Sequence, residues 1–347
     1  MILVTGATGF LGRHIVAALA ASARAEARAA RPGSEAQPSD LERRADASAR
    51  TMTVRALVRQ PVRGLAAEQV VGDVLDPASL AAAARGARAV IHAAGLVSRD
   101  PADAGRLMRL HVDGTRNVLQ AAADAARIVV VSSSGTIAVS NDPDRVATEE
   151  SPYATDVVRG WPYYLSKIYQ EQIAREDPRV VVVLPSLLLG PGDERGSSTD
   201  DVLRFLRGKV PFVPSGGLSL VDVRDAAAAT AAAVTRGRLG ERYLLGGPNW
   251  TFATFLGRLE RLAKVPGPRL KLPDRLARAG TALWGKLSER GGAERVAVEM
   301  GQKFWYVDSA KAERDLGFVA RDPQETLIDT IRYLRAHFLG TYAQGSP

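Results

Sequence analysis

Short apolar runs alternate with helical segments over the first half of the chain. Six apolar runs end in turn residues or small polar residues, at 1–6, 54–59, 69–74, 88–95, 127–134 and 179–186. Segments such as FLGRHIVAALAA and DPASLAAAARG separate them. Buried parallel strands are continuous apolar runs, and their alternation with helices is typical of a parallel sheet covered on both faces. The pattern predicts an α/β fold built on a doubly wound parallel sheet.

The regular alternation breaks at two places. Residues 23–50 are rich in Ala, Arg, Ser and Glu and almost lack large apolar residues, which predicts an exposed insertion. After the sixth run, Pro and Gly become frequent, which predicts a smaller, irregular substrate-binding domain. We expect a first domain over 1–185, completed by about 218–246, and a second domain over 186–217 and 247–340.

Composition narrows the classes of function. The chain has 347 residues, 46% of them hydrophobic, so it can bury a large core. It has no cysteine, which excludes disulfides, thiolate catalysis and cysteine metal sites. Its four histidines show no ligand spacing, so no metal is expected. No apolar stretch reaches the roughly 18–20 residues of a membrane span. No signal run precedes ILVTGATG, so a cytoplasmic protein is expected.

The positive charge is concentrated near the C-terminus. The net charge is +8, and residues 258–303 hold eleven Lys or Arg and five Asp or Glu, a balance of +6. No basic run with interleaved aromatic residues occurs elsewhere, so no nucleic-acid partner is expected. Residues 274–288 carry an apolar helical stripe flanked by basic residues. One interpretation is a helix that covers the substrate pocket. The other is weak, peripheral contact with an acidic membrane surface.

A glycine-rich turn follows the first predicted strand. TGATGFLG places Gly6, Gly9 and Gly12 between that strand and the first helix. Such a turn needs residues without a Cβ, and the free N–H groups of the helix N-terminus attract a pyrophosphate. The spacing is G-x-x-G-x-x-G, and it stands at the strand–helix turn where nucleotide-binding motifs occur. The turn therefore predicts a dinucleotide site and a sheet of Rossmann type.

The residue after the second strand bears on which dinucleotide binds. An acidic residue about 20 positions beyond the glycines would hold the ribose of NAD. Once the 28-residue insertion is removed, Arg59 occupies that place, and no Asp or Glu is present there. An arginine suits the 2′-phosphate of NADP, so NADP is predicted over NAD. Asp73 and Val74, after the third strand, are expected beside the adenine.

GWPYYLSK places two tyrosines ahead of one lysine. Tyr163 lies four residues before Lys167 and Tyr164 lies three before it, so on a helix either tyrosine shares a face with the lysine. A nearby ammonium lowers the pKa of a phenol and favours proton transfer. The spacing alone does not decide between a catalytic pair and an ordinary helical surface.

The chain resembles the extended short-chain dehydrogenase/reductases, also called the NAD-dependent epimerase/dehydratase family. The resemblance rests on TGATGFLG, GDVLD, VIHAAG, DGTRNVLQAA, VVVSSSGT, YYLSK, LPSLLLGPGD, VDVRDAAAA, ERYLLGG and VDSAKAERDLGF, in this order. Within the family, ALVRQ and FWYVDSAKAERDLGF look most like the dihydroflavonol-reductase-like branch and its hopanoid-associated bacterial relatives. The match runs from the first residue to about residue 338.

The resemblance implies a set of site residues. The family motif Tyr-x-x-x-Lys selects Tyr163 as the acid and Lys167 as its catalytic partner, and both residues would also contact the cofactor. A serine after the fifth strand would polarise the substrate oxygen; the favoured alignment gives Ser133, and a shift by one gives Ser134. His111 stands where the family usually has asparagine. The cofactor residues implied in addition to those above are Thr8, Phe10, Leu11, Ala93, Ala94, Gly95 and Pro185.

The function expected from these features is NADP(H)-dependent hydride transfer between the nicotinamide and a ketone or secondary alcohol. The substrate is expected to be a fairly apolar small molecule, because SLLLG lies near the expected pocket. One alternative is a nucleotide-sugar epimerase or dehydratase with tightly held NAD. Another is a non-catalytic NADP-binding sensor or scaffold. A homodimer is also an expectation.

Overall fold

A seven-stranded parallel sheet forms the centre of the molecule. The computed structural model describes residues 1–29, 53–270 and 291–340. The strands of this sheet are β1 (Ile2–Thr5), β2 (Val54–Val58), β3 (Glu68–Val71), β4 (Ala89–His92), β5 (Arg127–Val131), β6 (Val180–Pro185) and β9 (Arg242–Leu245). Their order is β3-β2-β1-β4-β5-β6-β9, and every neighbouring pair is parallel. The predicted doubly wound, Rossmann-type sheet is confirmed.

Helices cover both faces of this sheet. The helices are α1 (Phe10–Ala29), α2 (Pro77–Ala84), α3 (Ala104–Met108), α4 (Gly114–Ala121), α5 (Thr155–Val158), α6 (Pro162–Ala174), α7 (Asp200–Leu206), α8 (Val223–Ala233), α9 (Phe252–Ala263), α10 (Gly291–Gly301), α11 (Ala310–Leu316) and α12 (Pro323–Leu334). Side chains alternate across a strand, so Val129 of β5 packs with α1 and α8 while Val130 packs with α2 and α4. The continuous apolar runs are therefore strands that are buried on both faces.

A second, smaller sheet lies beyond the end of β6. It consists of β7 (Leu187–Leu189), β8 (Gly217–Asp222), β10 (Asn249–Thr251) and β11 (Phe304–Trp305). β8 pairs in parallel with β7 and β11 and antiparallel with β10. Within 218–246, the segment expected to complete the first domain, β9 joins the main sheet and β8 belongs to the second sheet. The helix after β8 does pack on the main sheet, because Val223 and Ala226 lie in its core.

Two expectations fall largely outside the described residues. Helix α1 continues through Ala29, so the segment expected to be an insertion, 23–50, begins inside a helix, and positions 30–50 are not described. The amphipathic segment 274–288 is not described either. Among the described helices, none combines the length and the apolar character that crossing a membrane requires.

The direction of the strands determines where a site can lie. The order of strands reverses beside β1, since β2 and β4 flank it and the chain continues outward in both directions. In open α/β sheets ligands bind outside the carboxyl ends of the strands at such a point. The loops that follow β1 and β4 meet there.

Candidate active site

The glycine turn is closely packed where β1 meets α1. Gly6 has φ +71° and its backbone lies against the loop after β4, so a Cβ there would stand 2.5 Å from the carbonyl of Ala93. A Cβ on Gly12 would stand 2.0 Å from the oxygen of Gly6. At Gly9 a Cβ would meet only the oxygen of Gly6, at 3.2 Å. Gly6 and Gly12 therefore allow the turn to form, and a side chain at Gly9 would be in tight contact with the oxygen of Gly6.

The other residues expected to contact a dinucleotide lie along the same edge of the sheet. They follow the carboxyl ends of β1 to β4 or end β6, and they are Thr8, Phe10, Leu11, Arg59, Asp73, Val74, Ala93, Ala94, Gly95 and Pro185. Arg59 is exposed, and within the described ranges its guanidinium forms no ion pair. Val74 is buried, and its carbonyl accepts a hydrogen bond from Asn117. The turn, the open helix N-terminus and an unpaired cation together fit a phosphorylated dinucleotide.

Tyr163 and Ser133 meet at the carboxyl end of β5. Tyr163 is in the first turn of α6, and Ser133 lies two residues beyond β5. The Ser133 side chain interacts with the Tyr163 phenol, and this interaction works against the rise in the pKa of Tyr163. Burial is the stronger effect and raises the pKa of Tyr163. The phenol therefore keeps its proton at neutral pH.

Lys167 is buried one helical turn further along α6. Its Nζ donates to the backbone oxygen of Val131 at 3.0 Å and to Gln170 Oε1 at 2.8 Å. Burial lowers the pKa of Lys167 to about 7, and the carboxylate of Glu171 opposes this shift. The pKa of Tyr163 is therefore raised overall, although a nearby lysine was expected to lower it, because burial is the largest influence on the phenol.

The neighbouring tyrosine faces a different set of groups. Tyr164 packs on Trp305, with ring centroids 5.1 Å apart, and against Gly135, where a Cβ would stand 2.1 Å from the ring. Its hydroxyl interacts electrostatically with Arg99 and Asp201, and burial raises the pKa of Tyr164 to about 12. Arg99 and Asp201 form a two-bond ion pair of 2.8 and 2.6 Å. Ser133 influences the pKa of Tyr163, whereas the groups that influence Tyr164 are Arg99 and Asp201.

His111 links the elements behind Tyr163. Its Nε2 accepts the N–H of Leu96 at 3.2 Å, so its Nδ1 carries the proton and donates to Ser166 Oγ at 2.8 Å. Ser166 in turn donates to the backbone oxygen of Tyr163 at 2.7 Å. Burial keeps the pKa of His111 well below its usual value. The histidine thus ties the loop after β4 to the first turn of α6.

A buried carboxylate supports the serines of the same loop. Glu171 is fully buried and accepts hydrogen bonds from Ser132 at 3.0 Å and from Thr136 at 3.1 Å. Its other oxygen pairs with Arg242 of β9 at 3.3 Å. The hydroxyl of Ser132 is thus bonded to Glu171, whereas the pKa of Tyr163 depends on the side chain of Ser133.

The segment after β7 is held against α1. The guanidinium of Arg13, in the first turn of α1, forms a two-bond pair with Glu194. His14 Nε2 donates to the carbonyl of Pro191 at 3.0 Å. Ser186 lies between β6 and β7, and its buried Oγ has no hydrogen-bond partner among the described residues. The contacts place the 191–194 segment beside the glycine turn.

Some of these groups were missed from the sequence. Gln170 lies three residues after Lys167, a helical spacing that could have identified it. Arg99 and Asp201 are 102 positions apart, and no local pattern joins them. The same holds for the histidine at the end of β4, whose partners come from β1 and α4.

Comparisons with known proteins extend over nearly the whole chain. The profile of the NAD dependent epimerase/dehydratase family matches residues 2–246. A Synechocystis protein named after dihydroflavonol 4-reductase is 32% identical over 304 residues, which are 82% of this chain and 88% of the relative. Sterol demethylase protein B of Methylococcus capsulatus is 30% identical over 348 residues, 96% of this chain and 98% of the relative. The crystal structure of a nucleoside-diphosphate-sugar epimerase from Pseudomonas aeruginosa is similar with a TM-score of 0.73 at 25% identity, over 97% of this chain and 98% of that one.

Proposed function

This chain belongs to the NAD-dependent epimerase/dehydratase family, and from that premise we propose that it is an NADP(H)-dependent reductase or dehydrogenase. The reaction is hydride transfer between the nicotinamide and a ketone or secondary alcohol. The observation that carries the proposal is that Ser133, just beyond β5, interacts with Tyr163, one helical turn from the buried Lys167.

Each of the three side chains has a distinct role in the proposed reduction. Bound NADPH supplies the hydride to the carbonyl carbon. Ser133 orients and polarises the carbonyl oxygen, and Tyr163 gives its phenolic proton to that oxygen as the negative charge develops. Because burial raises the pKa of Tyr163, the phenol is protonated before the transfer. Lys167 binds the nicotinamide ribose through its remaining N–H and stabilises the phenolate that forms.

The groups proposed to hold NADP lie around the glycine turn. The N–H groups at the start of α1 would bind the pyrophosphate, since the turn that precedes them is built from glycines that bear no side chain. Arg59 binds the 2′-phosphate, since it is exposed beside the turn and forms no ion pair within the described ranges. Asp73 and Val74 lie beside the adenine.

We propose a fairly apolar substrate, bound between the main sheet and the region that follows β6. Near the tyrosines the wall is aromatic: Trp161 stacks on Trp305 at 5.8 Å, and Tyr164 packs on both. The names of the two relatives, a dihydroflavonol reductase and a sterol demethylase, also point to polycyclic compounds. The substrate domain proposed for this binding comprises 186–217 and 247–340.

Oxidation of NADPH with a panel of ketones tests the proposal. The panel contains aromatic, steroidal, β-keto acyl and sugar-nucleotide ketones, and the Tyr163→Phe variant is the control for background oxidation. We expect turnover with an aromatic or steroidal ketone that the variant lacks. Tight NADPH binding without turnover of any ketone would instead indicate a sensor or scaffold.

The second candidate is a nucleotide-sugar epimerase or dehydratase that retains NAD. The similarity to the Pseudomonas aeruginosa epimerase favours it. It requires an acidic group for the NAD ribose, whereas the position after β2 carries Arg59. Activity that depends on NAD and a sugar nucleotide, with no net change in cofactor oxidation state, would establish it over the reductase.

A further inference from the structure

A buried chain of hydrogen bonds runs from Lys167 to the end of β1. Lys167 Nζ donates to Gln170 Oε1 at 2.8 Å, and Gln170 Nε2 donates to Thr115 Oγ1 at 2.9 Å. Thr115 Oγ1 lies 3.0 Å from His92 Nε2, and His92 Nδ1 lies 2.8 Å from Thr5 Oγ1. Lys167 is 5% exposed and the other four residues are 0% exposed. These groups therefore cannot exchange their partners for water.

The lysine determines the direction of every bond in this chain. An ammonium only donates, so the carbonyl oxygen of Gln170 must face it and the amide nitrogen must face Thr115. Thr115 gives its own proton to the backbone oxygen of His111 at 2.6 Å, so it accepts from both Gln170 and His92. His92 therefore carries its proton on Nε2, and its Nδ1 accepts from the hydroxyl of Thr5.

We propose that Gln170 is a positioning residue for Lys167, and that Thr115 and His92 hold the Gln170 amide in the orientation that the lysine needs. The inference rests on the role proposed above for Lys167. It goes beyond that role because it assigns the placement of the ammonium to side chains that touch neither substrate nor cofactor.

The two anchors of the ammonium explain why the glutamine matters. Val131 supplies one acceptor from the backbone of β5, and Gln170 supplies the other. Loss of the second would free a long, flexible side chain to rotate about the first. The series of hydrogen bonds also joins α6 to the end of β1, immediately before the glycine turn. The lysine is thereby fixed relative to the place where the cofactor phosphates are proposed to bind.

The absence of charge on Gln170 also affects the pKa of Lys167. The titratable groups around the ammonium are Glu171, Tyr163, His92 and His111. Burial lowers the pKa of His92 to about 3 and that of His111 well below its usual value, so both are neutral near pH 7. Glu171 raises the pKa of Lys167, and burial outweighs this effect. The uncharged Gln170 therefore holds the ammonium without adding a second carboxylate.

Two substitutions of Gln170 test the proposal, with Gln172→Leu as the matched control because Gln172 is exposed on the same helix. Gln170→Leu removes a bond to the charged form and lowers the pKa of Lys167. Gln170→Glu adds a carboxylate and raises it. The titration is followed by NMR of protein labelled with carbon-13 lysine, in the presence of NADPH and in its absence. This measurement needs no substrate.

Kinetics with the ketone that the panel identifies provide the second readout. We expect Gln170→Leu to lower kcat about tenfold or more with a smaller change in KM, the size that a hydrogen bond to a charged group supports. The fall in kcat with rising pH should move to lower pH in Gln170→Leu and to higher pH in Gln170→Glu. The control should match the wild type. If the Gln170→Leu variant does not fold, the test is the shift of the Lys167 pKa and of the pH dependence of kcat in the nearly isosteric Gln170→Glu variant.

The outcomes separate this inference from the proposed function. An unchanged Lys167 titration in a folded Gln170→Glu protein would overturn the positioning role, even if the enzyme reduces ketones. Opposite shifts in the two variants of a protein that turns over no ketone would support the positioning of the lysine and refute the reductase.

Discussion

The paired substitutions Tyr163→Phe and Tyr164→Phe give the sharpest test of the active site. Each removes one hydroxyl and keeps the ring, so packing is nearly unchanged. In Tyr163→Phe the lost hydroxyl is the one whose pKa the Ser133 side chain influences. In Tyr164→Phe it is the one that faces Arg99 and Asp201.

The expected losses differ by orders of magnitude. A general acid contributes roughly 10²–10⁴-fold to the rate, which corresponds to about 3–5 kcal/mol in the barrier, so kcat of Tyr163→Phe should fall by that factor. The Tyr164 hydroxyl is one polar contact at the edge of an ion pair that remains intact. Its removal should cost about 1 kcal/mol, or roughly fivefold in kcat/KM.

The assay is steady-state NADPH oxidation, with cofactor affinity measured separately by quenching of tryptophan fluorescence. Both variants should bind NADPH within about twofold of the wild type, since neither lost hydroxyl is proposed to hold the cofactor tightly. Loss of turnover in Tyr164→Phe with retention in Tyr163→Phe would refute the assignment of the acid. Equal losses in both variants would show that the serine contact does not identify the acid.

Three further predictions concern the cofactor and the core. Arg59→Ala should weaken NADPH binding by about 1.5–3 kcal/mol and NADH binding much less, as measured by calorimetric titration. The control is Arg63→Ala, since Arg63 is also exposed. Equal losses for the two cofactors would show that Arg59 does not bind the 2′-phosphate. Gly12→Ala places a Cβ 2.0 Å from the carbonyl oxygen of Gly6, so the variant should bind neither NADPH nor NADH. Retained affinity would mean that the turn can widen to accept the methyl group. Arg242→Met leaves the buried Glu171 carboxylate without its cation and should lower the free energy of unfolding by about 3–5 kcal/mol in urea titrations, whereas a loss below about 1 kcal/mol would show that the pair is hydrated.

The sequence alone determined the parts of the fold that depend on local periodicity. Continuous apolar runs such as 88–95 and 127–134 became central strands, because a strand buried on both faces needs apolar residues at every position. The glycine turn was equally local, since spacing and φ at Gly6 follow from residues within one strand–helix unit. The spacing of Tyr163 and Lys167 on α6 likewise follows from the pitch of a helix.

Other features could not be obtained from periodicity. The apolar run of β8 looked like a strand of the main sheet, and the structure places it in the second sheet beside β7. A strand's pattern specifies that its faces are buried but does not specify its neighbours. The choice between Ser133 and Ser134 was also open, and Ser133 stays a prediction that its interaction with Tyr163 supports.

Only the tertiary structure decided the electrostatics around the lysine. From the sequence, a lysine one turn from a tyrosine was expected to lower the pKa of the phenol. In the fold, burial raises that pKa, and the ammonium bonds to Val131 and Gln170. The chain from Gln170 through Thr115 to His92 joins residues from α6, α4 and β4, which are far apart in sequence and meet only because the parallel sheet brings their ends together.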